Sequence, residues 1–411
     1  MTTKYPLPIF STEPGSWAHS TVIDRWPEIV NRVIKENEFP PQVLDQLIQL
    51  RDGIPEEPIR QLKDLGAPDI KYWESYITPR AGKNWLEIPW FFAEHYFYRR
   101  VMEAVNYFKL GLDPFGYQKE QGLIKTRKEI QAYASVLMNW MKDKGQGQGH
   151  IRQAIYFSLW GNQADLSLWP AGSSGTLKHL TQQSFKDNLL ADDTNRIIKL
   201  LFKNKNTPPV RRVDIMLDNA GFELVCDLGL ADTLLNNHLA DDVLLHVKAH
   251  PTYVSDVISD DITQTVDFLK GCVEQDIKDL GERLEKHIQE KKIRTKANFF
   301  WNSPLPMWEI PLDLGEDLSG ADFLISKGDA NYRRLLGDRQ WDFTFPFHQV
   351  VDYLPVPLAA LRTSKSELAV GLDLDQIIEV YNQDPNWMVD GKWGVVHFAP
   401  GKRPEVNKAR T

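Results

Sequence analysis

An α/β protein with a mostly parallel sheet, preceded by a helical N-terminal half, is the fold class this 411-residue sequence predicts. Three observations predict it. The second half alternates short apolar or β-branched runs with helix-length periodic stretches, the order expected of βαβ units with right-handed crossovers. The first 150 to 175 residues carry apolar residues at three-four spacing and read as helical. The run Val213–Leu217 is apolar apart from Asp214, which suits a strand buried in a parallel sheet.

Residues 1 to 20 look extended, with Pro6, Pro8 and Pro14. From Ser20 a helical pattern begins, with Val22, Ile23, Trp26, Ile29, Val30, Val33 and Ile34, and Pro40-Pro41 interrupts it. Helices are expected near 42–51 and 55–65, and a short aromatic segment over Asp69–Tyr76. Gly82–Phe108 is the strongest helix of this half, with Ile88, Phe91, His95, Tyr98, Met102 and Val105 on one face. Glu94 lies among those aromatics, where a carboxylate is costly unless paired; Arg99 or Arg100 is the expected partner, and a pocket edge the other reading. Lys125–Lys142 reads as amphipathic helix, Gly145–His150 as a break, and Ile151 starts a helix leading into SLWGNQADLSLW. Strands are expected at Val213–Leu217, Val243–Val247, Phe323–Ser326, Leu358–Arg362 and Gly394–Phe398. Helices are expected at Gly221–Asn237, Ile258–Glu274, Ile277–Glu290 and Asp373–Asn382. The division this implies is a helical domain over 1–175 and a sheet domain over 176–411. Lys203-Asn204-Lys205-Asn206 reads as a solvated loop, and no internal repeat is visible.

Composition narrows the function. Hydrophobic residues make up 42% and charged residues 25%, an ordinary globular mix. The net charge of −8 argues against sequence-independent nucleic-acid binding, which needs a basic surface. Two cysteines, Cys226 and Cys272, suggest neither a zinc site nor a disulfide framework, so a reducing cytoplasm is expected. The N-terminal segment lacks a signal peptide's apolar core, and no apolar run reaches the roughly 18 residues of a membrane span.

The chemistry collects at strand ends. Val213–Leu217 stops in Asp218-Asn219-Ala220-Gly221 and turns into a helix. This places two oxygen ligands at the carboxyl edge of the sheet, where open α/β sheets bind ligands. An Asx turn with a helix cap explains the same four residues, so both readings stand on local pattern. VLLHVKAHPTYVSD leads to Asp256; ADFLISKGDANYRR supplies Lys327, Gly328, Asp329, Asn331 and Arg333; PLAALRTSKSE supplies Arg362, Thr363 and Lys365. Hard oxygen ligands without thiolates suit Mg²⁺ or Mn²⁺, and nearby Lys and Arg suit a phosphate group. Such a rim would support metal-assisted phosphoryl transfer. Taken singly, Lys327, Arg362 and Lys365 also read as surface charges. His246 and His250 have helical metal-ligand spacing but lie in a strand-to-loop region, which favours ordinary histidines over zinc. No G-x-G-x-x-G, Walker phosphate loop or H-E-x-x-H is present, against a dinucleotide dehydrogenase, a P-loop hydrolase or a zinc protease.

LDNAGFELVCDL, VSD, SKGDANYRRL and RTSK, in this order, resemble subfamily III of the family first called domain of unknown function 89. These are the damage-control phosphatases, one relative of which is also described as an acidic-residue methyltransferase. WLEIPWFFAEHYFYRR and LWGNQADLS extend the resemblance into the helical half. It implies a three-layer α/β/α core with a helical N-terminal domain. It implies a metal held by Asp218, Asn219 and Asp256, with Mn²⁺, Ni²⁺, Co²⁺ or Mg²⁺ as the cofactor. It links Arg362, Thr363, Ser364 and Lys365 to phosphatase activity, with Asp218, Asp256, Arg362 and Lys365 as catalytic residues. It places Glu223, Lys327, Asp329, Asn331, Arg333 and Lys365 on the substrate side. Asn162 and Asp165 match a segment that reaches the site, and Lys248 is left open as a phosphate contact. The implied reaction is hydrolysis of sugar phosphates such as fructose 1-phosphate and fructose 6-phosphate, with no nucleic-acid or membrane partner. The rival is an S-adenosylmethionine-dependent carboxyl methyltransferase, disfavoured because no glycine-rich cofactor loop follows an early strand.

Overall fold

The computed structural model of the chain describes residues 5–143, 147–161, 186–202 and 211–402. One sheet of seven strands runs through its centre. The strands are β1 (Leu189–Asp192), β2 (Arg212–Met216), β3 (Asp242–Lys248), β4 (Ile293–Asn298), β5 (Phe323–Lys327), β6 (Leu358–Thr363) and β7 (Gly394–Ala399). Their spatial order is β1-β7-β6-β5-β2-β3-β4. Every pairing is parallel except β6 with β7, so β1 and β7 run opposite to the rest.

The central strands are apolar on both faces because both are covered. Met216, Leu324 and Ala360 point into one core, and Ile215, Ile325 and Ala359 point into the other, the period-two alternation of a strand. Helices of the first half supply Trp26, Trp85, Trp90 and Phe97 to the first core. Trp26 stacks on Phe97 with ring centroids 4.9 Å apart, and burial of each such side chain contributes roughly 1.5–3 kcal/mol. The helices Arg127–Lys142 and Gly147–Trp160, also from the first half, pack on the opposite face with Phe222–Asn236 and Gln275–Gln289. The result is a three-layer α/β/α arrangement to which the helical half contributes on both sides.

The Phe222–Asn236 helix is buried on all sides from Phe222 to Leu235, although spacing alone suggests a single apolar face. It lies between the sheet and the surrounding helices, so its carboxylates Glu223, Asp227 and Asp232 must all find partners inside. The Trp90–Ala104 helix is likewise buried nearly all round. Glu94 does not pair with Arg99 or Arg100, correcting the sequence expectation. Arg99 binds Asp64 and Asp69, and Arg100 binds Glu103. Glu94 reaches Arg333 from a distant part of the chain, a partner that helical spacing cannot reveal.

β1 and β4 have no counterpart in the sequence expectations. Both are edge strands, and β4 is largely solvent-facing, so neither carries the apolar signal of the centre. The chain passes from β2 to β3 and β4 on one side, then returns to β5 on the other. The carboxyl ends of β2 and β5 therefore flank a topological switch point, the crevice where such sheets bind ligands. Lys203–Asn206, Asn162, Asp165 and the boundary expected at residue 175 lie outside the described residues.

Candidate functional site

The crevice is built around Asp218. β2 ends at Met216, and the chain turns through Asp218–Gly221 into the Phe222–Asn236 helix. Gly221 takes φ +77°, a conformation glycine adopts without steric cost. A second chain segment closes on this turn: Val257 N–H donates to Asp218 O at 2.8 Å and Ala220 N–H to Ser255 O at 2.7 Å. Asn219 and Asp256 are thereby bridged side by side. The closing loop holds two successive left-handed residues, Tyr253 at φ 49° and Val254 at φ 69°. A β-branched residue there is strained by about 1–3 kcal/mol, and such strain persists only where surrounding contacts enforce it. Here Ser255 Oγ donates to Asn219 Oδ1 at 2.5 Å.

β5 delivers the third wall. Gly328 has φ +81°, and its backbone presses on Asp218 so closely that a Cβ would lie 1.9 Å from Asp218 Oδ2. Only glycine permits this approach. Asn331, one helical turn on, donates from Nδ2 to Leu217 O at 3.0 Å and Lys327 O at 2.9 Å, which fastens the end of β2 to the new helix.

Three carboxylates crowd this space. Asn219 Nδ2 lies between Asp218 Oδ2 at 2.7 Å and Glu223 Oε2 at 3.0 Å. Burial, then the charges of Glu223 and Asp256, push Asp218 well above the usual carboxylate range. Burial also pushes Asp256 up to about 6, against the pull of Lys248. Lys248 Nζ stands 3.3 Å from Asp256 Oδ2, yet that buried oxygen has no hydrogen-bond partner among the described residues. Burial correspondingly pulls the Lys248 ammonium down from its ordinary value.

These features fit a divalent cation. Hard oxygens converge, burial and their mutual repulsion outweigh the pull of Lys365 and Lys248, and Asp256 Oδ2 has the Lys248 ammonium nearby but no hydrogen bond among the described residues. Asn219 turns its nitrogen to Asp218 and Glu223 and its oxygen to Ser255; exchanging the two ends of the amide aims an oxygen at the same space. Among the described residues, no group of three or more His, Cys, Asp or Glu is arranged to hold a metal, so the amide is needed to complete the set.

A family model for the damage-control phosphatase ARMT1-like domain matches residues 21–378. The chain belongs to this damage-control phosphatase family. It is 33% identical to the mouse protein named damage-control phosphatase ARMT1, covering 96% of this chain and 98% of the relative. It is 34% identical to the rat protein of that name, over the same shares of the two chains. A crystal structure of a DUF89 family protein from Pyrococcus horikoshii is 15% identical, with TM-score 0.48, over 91% of this chain and 96% of that one.

Within this family member, the residues singled out by sequence take different stations. Asp218, Asn219, Glu223 and Asp256 meet in the crevice. Lys365 is half-buried, its charge reaches Asp218, and its ammonium has no ion-pair or hydrogen-bond partner among the described residues. Arg362 does not face the crevice as a free cation. It donates from Nε to Asp329 Oδ1 at 2.6 Å and from Nη2 to Ser366 O at 3.0 Å. Asp329 also accepts from Lys365 N–H at 3.2 Å and Ser366 Oγ at 3.0 Å, so the Arg362–Asp329 pair shapes the loop that presents Lys365.

Lys327 and Arg333, expected on the substrate side, point away from the crevice. Lys327 is 1% exposed and points behind the crevice, to Glu223 Oε1 at 3.1 Å, Asp227 Oδ1 at 3.2 Å and Ser158 O. Burial opposes its charge, but Asp227 and Glu223 outweigh burial and hold its pKa above the ordinary value. Arg333 turns the other way, to Asp338 at 2.8 Å and Glu94, with its guanidinium 3.7 Å above the Trp90 ring. His246 Nε2–H donates to Asp214 Oδ2 at 2.8 Å inside the sheet, and His250 is buried against Asn302, whose Nδ2 donates to His250 O at 2.9 Å. Sequence reasoning missed Asp227, pushed up to about 7 by burial against the pull of Lys327. Its signal was present: it follows Glu223 by four residues on one helix.

Proposed function

We propose that the protein is a divalent-metal-dependent phosphatase that hydrolyses sugar phosphomonoesters of the fructose 1-phosphate and fructose 6-phosphate class. The observation that carries this reading is the meeting of opposites at one strand end: the crowded Asp218, Glu223 and Asp256 carboxylates within reach of the Lys365 ammonium, which has no partner among the described residues. The names of the relatives point to phosphatase chemistry.

Asp218, Asp256 and Asn219 would hold Mn²⁺, Ni²⁺, Co²⁺ or Mg²⁺, with Glu223 completing the acidic wall. When bound, the cation would polarise the phosphoryl group and acidify the attacking water. Lys365 binds the phosphate oxygens and stabilises charge developing on them. Arg362, through Asp329, holds the loop that aims Lys365. Lys248 balances Asp256. Lys327 fixes Glu223 from behind and leaves the other carboxylate oxygen turned to the crevice. The same site admits a carboxylate nucleophile, which a trapped phosphoenzyme on Asp218 or Asp256 would reveal.

The partner in this reading is a small sugar phosphate in the cytoplasm, and the net charge of −8 argues against a nucleic-acid partner. Among the described residues no helix is long and apolar enough to cross a membrane. The test is phosphate release from fructose 1-phosphate by metal-stripped protein, with each metal restored singly and Asp256→Ala as control. Metal-dependent turnover absent from the variant is expected. No turnover with any metal across several sugar phosphates would reject the reading, and binding of S-adenosylmethionine would then test the methyltransferase alternative.

A further inference from the structure

A cavity of about 280 Å³ opens directly beside the metal turn. Its floor includes Gly221 and Ser255, from the two segments that carry Asn219 and Asp256. Its outer wall comes from the N-terminal helix and carries Arg25 and Arg32. No carboxylate lines it, and its third cation, Lys119, is already neutralised by Asp113 and Asp261 at 3.0 and 2.8 Å.

The two arginines differ from most guanidinium groups of the chain. Neither has a hydrogen bond or ion pair among the described residues, although Glu28 stands between them on the same helix. They are seven residues apart, about two helical turns, and share a face. Arg25 closes a π-helical turn, Thr21–Arg25, inserted between two α-helical segments. Such insertions re-aim a side chain and are concentrated at functional sites. Both charges are felt inside the protein: burial raises the Tyr98 hydroxyl's pKa, and Arg25 and Arg32 oppose that rise. Two exposed cations, without a hydrogen bond or ion pair among the described residues, therefore border a half-open pocket that no carboxylate lines, beside the proposed phosphate site.

We infer that this cavity is a second anion subsite, in which Arg25 and Arg32 hold a phosphate or carboxylate at the far end of the substrate. The preferred substrates are then doubly anionic sugars, either bisphosphates or phosphorylated sugar acids. The identity of the first anion rests on the phosphatase reading; the subsite itself rests on the cavity and its cations.

The experiment compares fructose 1,6-bisphosphate, 6-phosphogluconate and fructose 1-phosphate on the wild type, an Arg25→Gln/Arg32→Gln double variant and Lys35→Gln. Lys35 removes a neighbouring charge that does not line the cavity. Both arginines are exposed, so the variants keep their fold. The preference for the two doubly anionic compounds over the monophosphate, as a ratio of kcat/KM, falls about tenfold or more in the double variant. The fall is in KM, and Lys35→Gln leaves the ratio in place. Loss of only one compound's preference assigns the subsite to that anion, phosphate or carboxylate. An unchanged ratio in the double variant, with turnover intact, overturns the inference and leaves the phosphatase reading standing. If the wild type hydrolyses none of the esters, titration calorimetry of fructose 1,6-bisphosphate into metal-free protein decides. Arginine-dependent binding then supports the subsite without the phosphatase reading, and equal binding to wild type and double variant overturns it.

Discussion

Gly328→Ala isolates the closest approach in the site. The added Cβ would sit 1.9 Å from Asp218 Oδ2, where ordinary contact begins at 3.4 Å, so the carboxylate must retreat by about 1.5 Å. A misplacement of about 1 Å costs ~100-fold in rate, about 2.7 kcal/mol of barrier. The backbone adds its own penalty, because alanine at φ +81° loses about 1–2 kcal/mol of stability. The variant should therefore fold, melt a few degrees lower, bind Mn²⁺ more weakly and lose at least ~100-fold in kcat/KM on fructose 1-phosphate. Phosphate release, thermal melting and calorimetric metal titration read the three effects separately. A Gly328→Ala protein with kcat/KM within threefold of wild type would refute the claim that this glycine exists to let backbone meet Asp218.

Other expectations follow from the same geometry. Lys365→Gln removes a cation with no ion-pair or hydrogen-bond partner among the described residues, so stability should stay within about 0.5 kcal/mol while kcat/KM falls roughly 10–100-fold. Lys327→Met should do the reverse of a phosphate-contact mutation: it strands Glu223 and Asp227 without a counter-charge and costs about 3–5 kcal/mol in urea unfolding. Normal stability with only a raised KM would restore Lys327 to the substrate side. His397 is buried, and burial with the nearby Arg362 charge holds its pKa at about 3 against an ordinary 6.5. The unfolded chain takes up a proton below 6.5 that the fold refuses until about 3, so this residue lowers stability as pH falls through that window. His397→Gln should flatten the acid limb by a few kcal/mol, seen as a smaller difference between urea unfolding at pH 7 and pH 4. An acid limb as steep as the wild type's would place the sensitivity elsewhere.

The centre of the sheet was legible because buried parallel strands are mostly apolar on both faces, as Val243–Val247 and Phe323–Ser326 show. The edges were not, since a strand such as Ile293–Asn298 faces water and loses that signature. The site divides in the same way. Asp218, Asn219 and Asp256 stand at strand ends and turns, where chain direction follows from local pattern. Side-chain direction beyond those turns depends on partners far away in sequence. Lys327 meets Ser158, Arg333 meets Glu94, and Arg362 meets Asp329, and nothing in the spacing of any one segment encodes these meetings. The strain at Tyr253 and Val254 was equally hidden, because neither residue type announces a left-handed backbone.

The Lys327–Arg334 stretch is the most recognisable part of this sequence, and its role is mainly that of a joint. Asn331 pins the end of β2, Arg333 locks onto Glu94 and Trp90, and Arg334 donates to Trp301 O at 3.1 Å and Ser303 O at 2.8 Å. A chain without Asp218 would still call on these contacts to join its layers. Such a chain would carry the signature intact, so under the proposed assignment the short Asp218-Asn219 turn, with Lys365, would be the better marker of a copy able to turn over substrate.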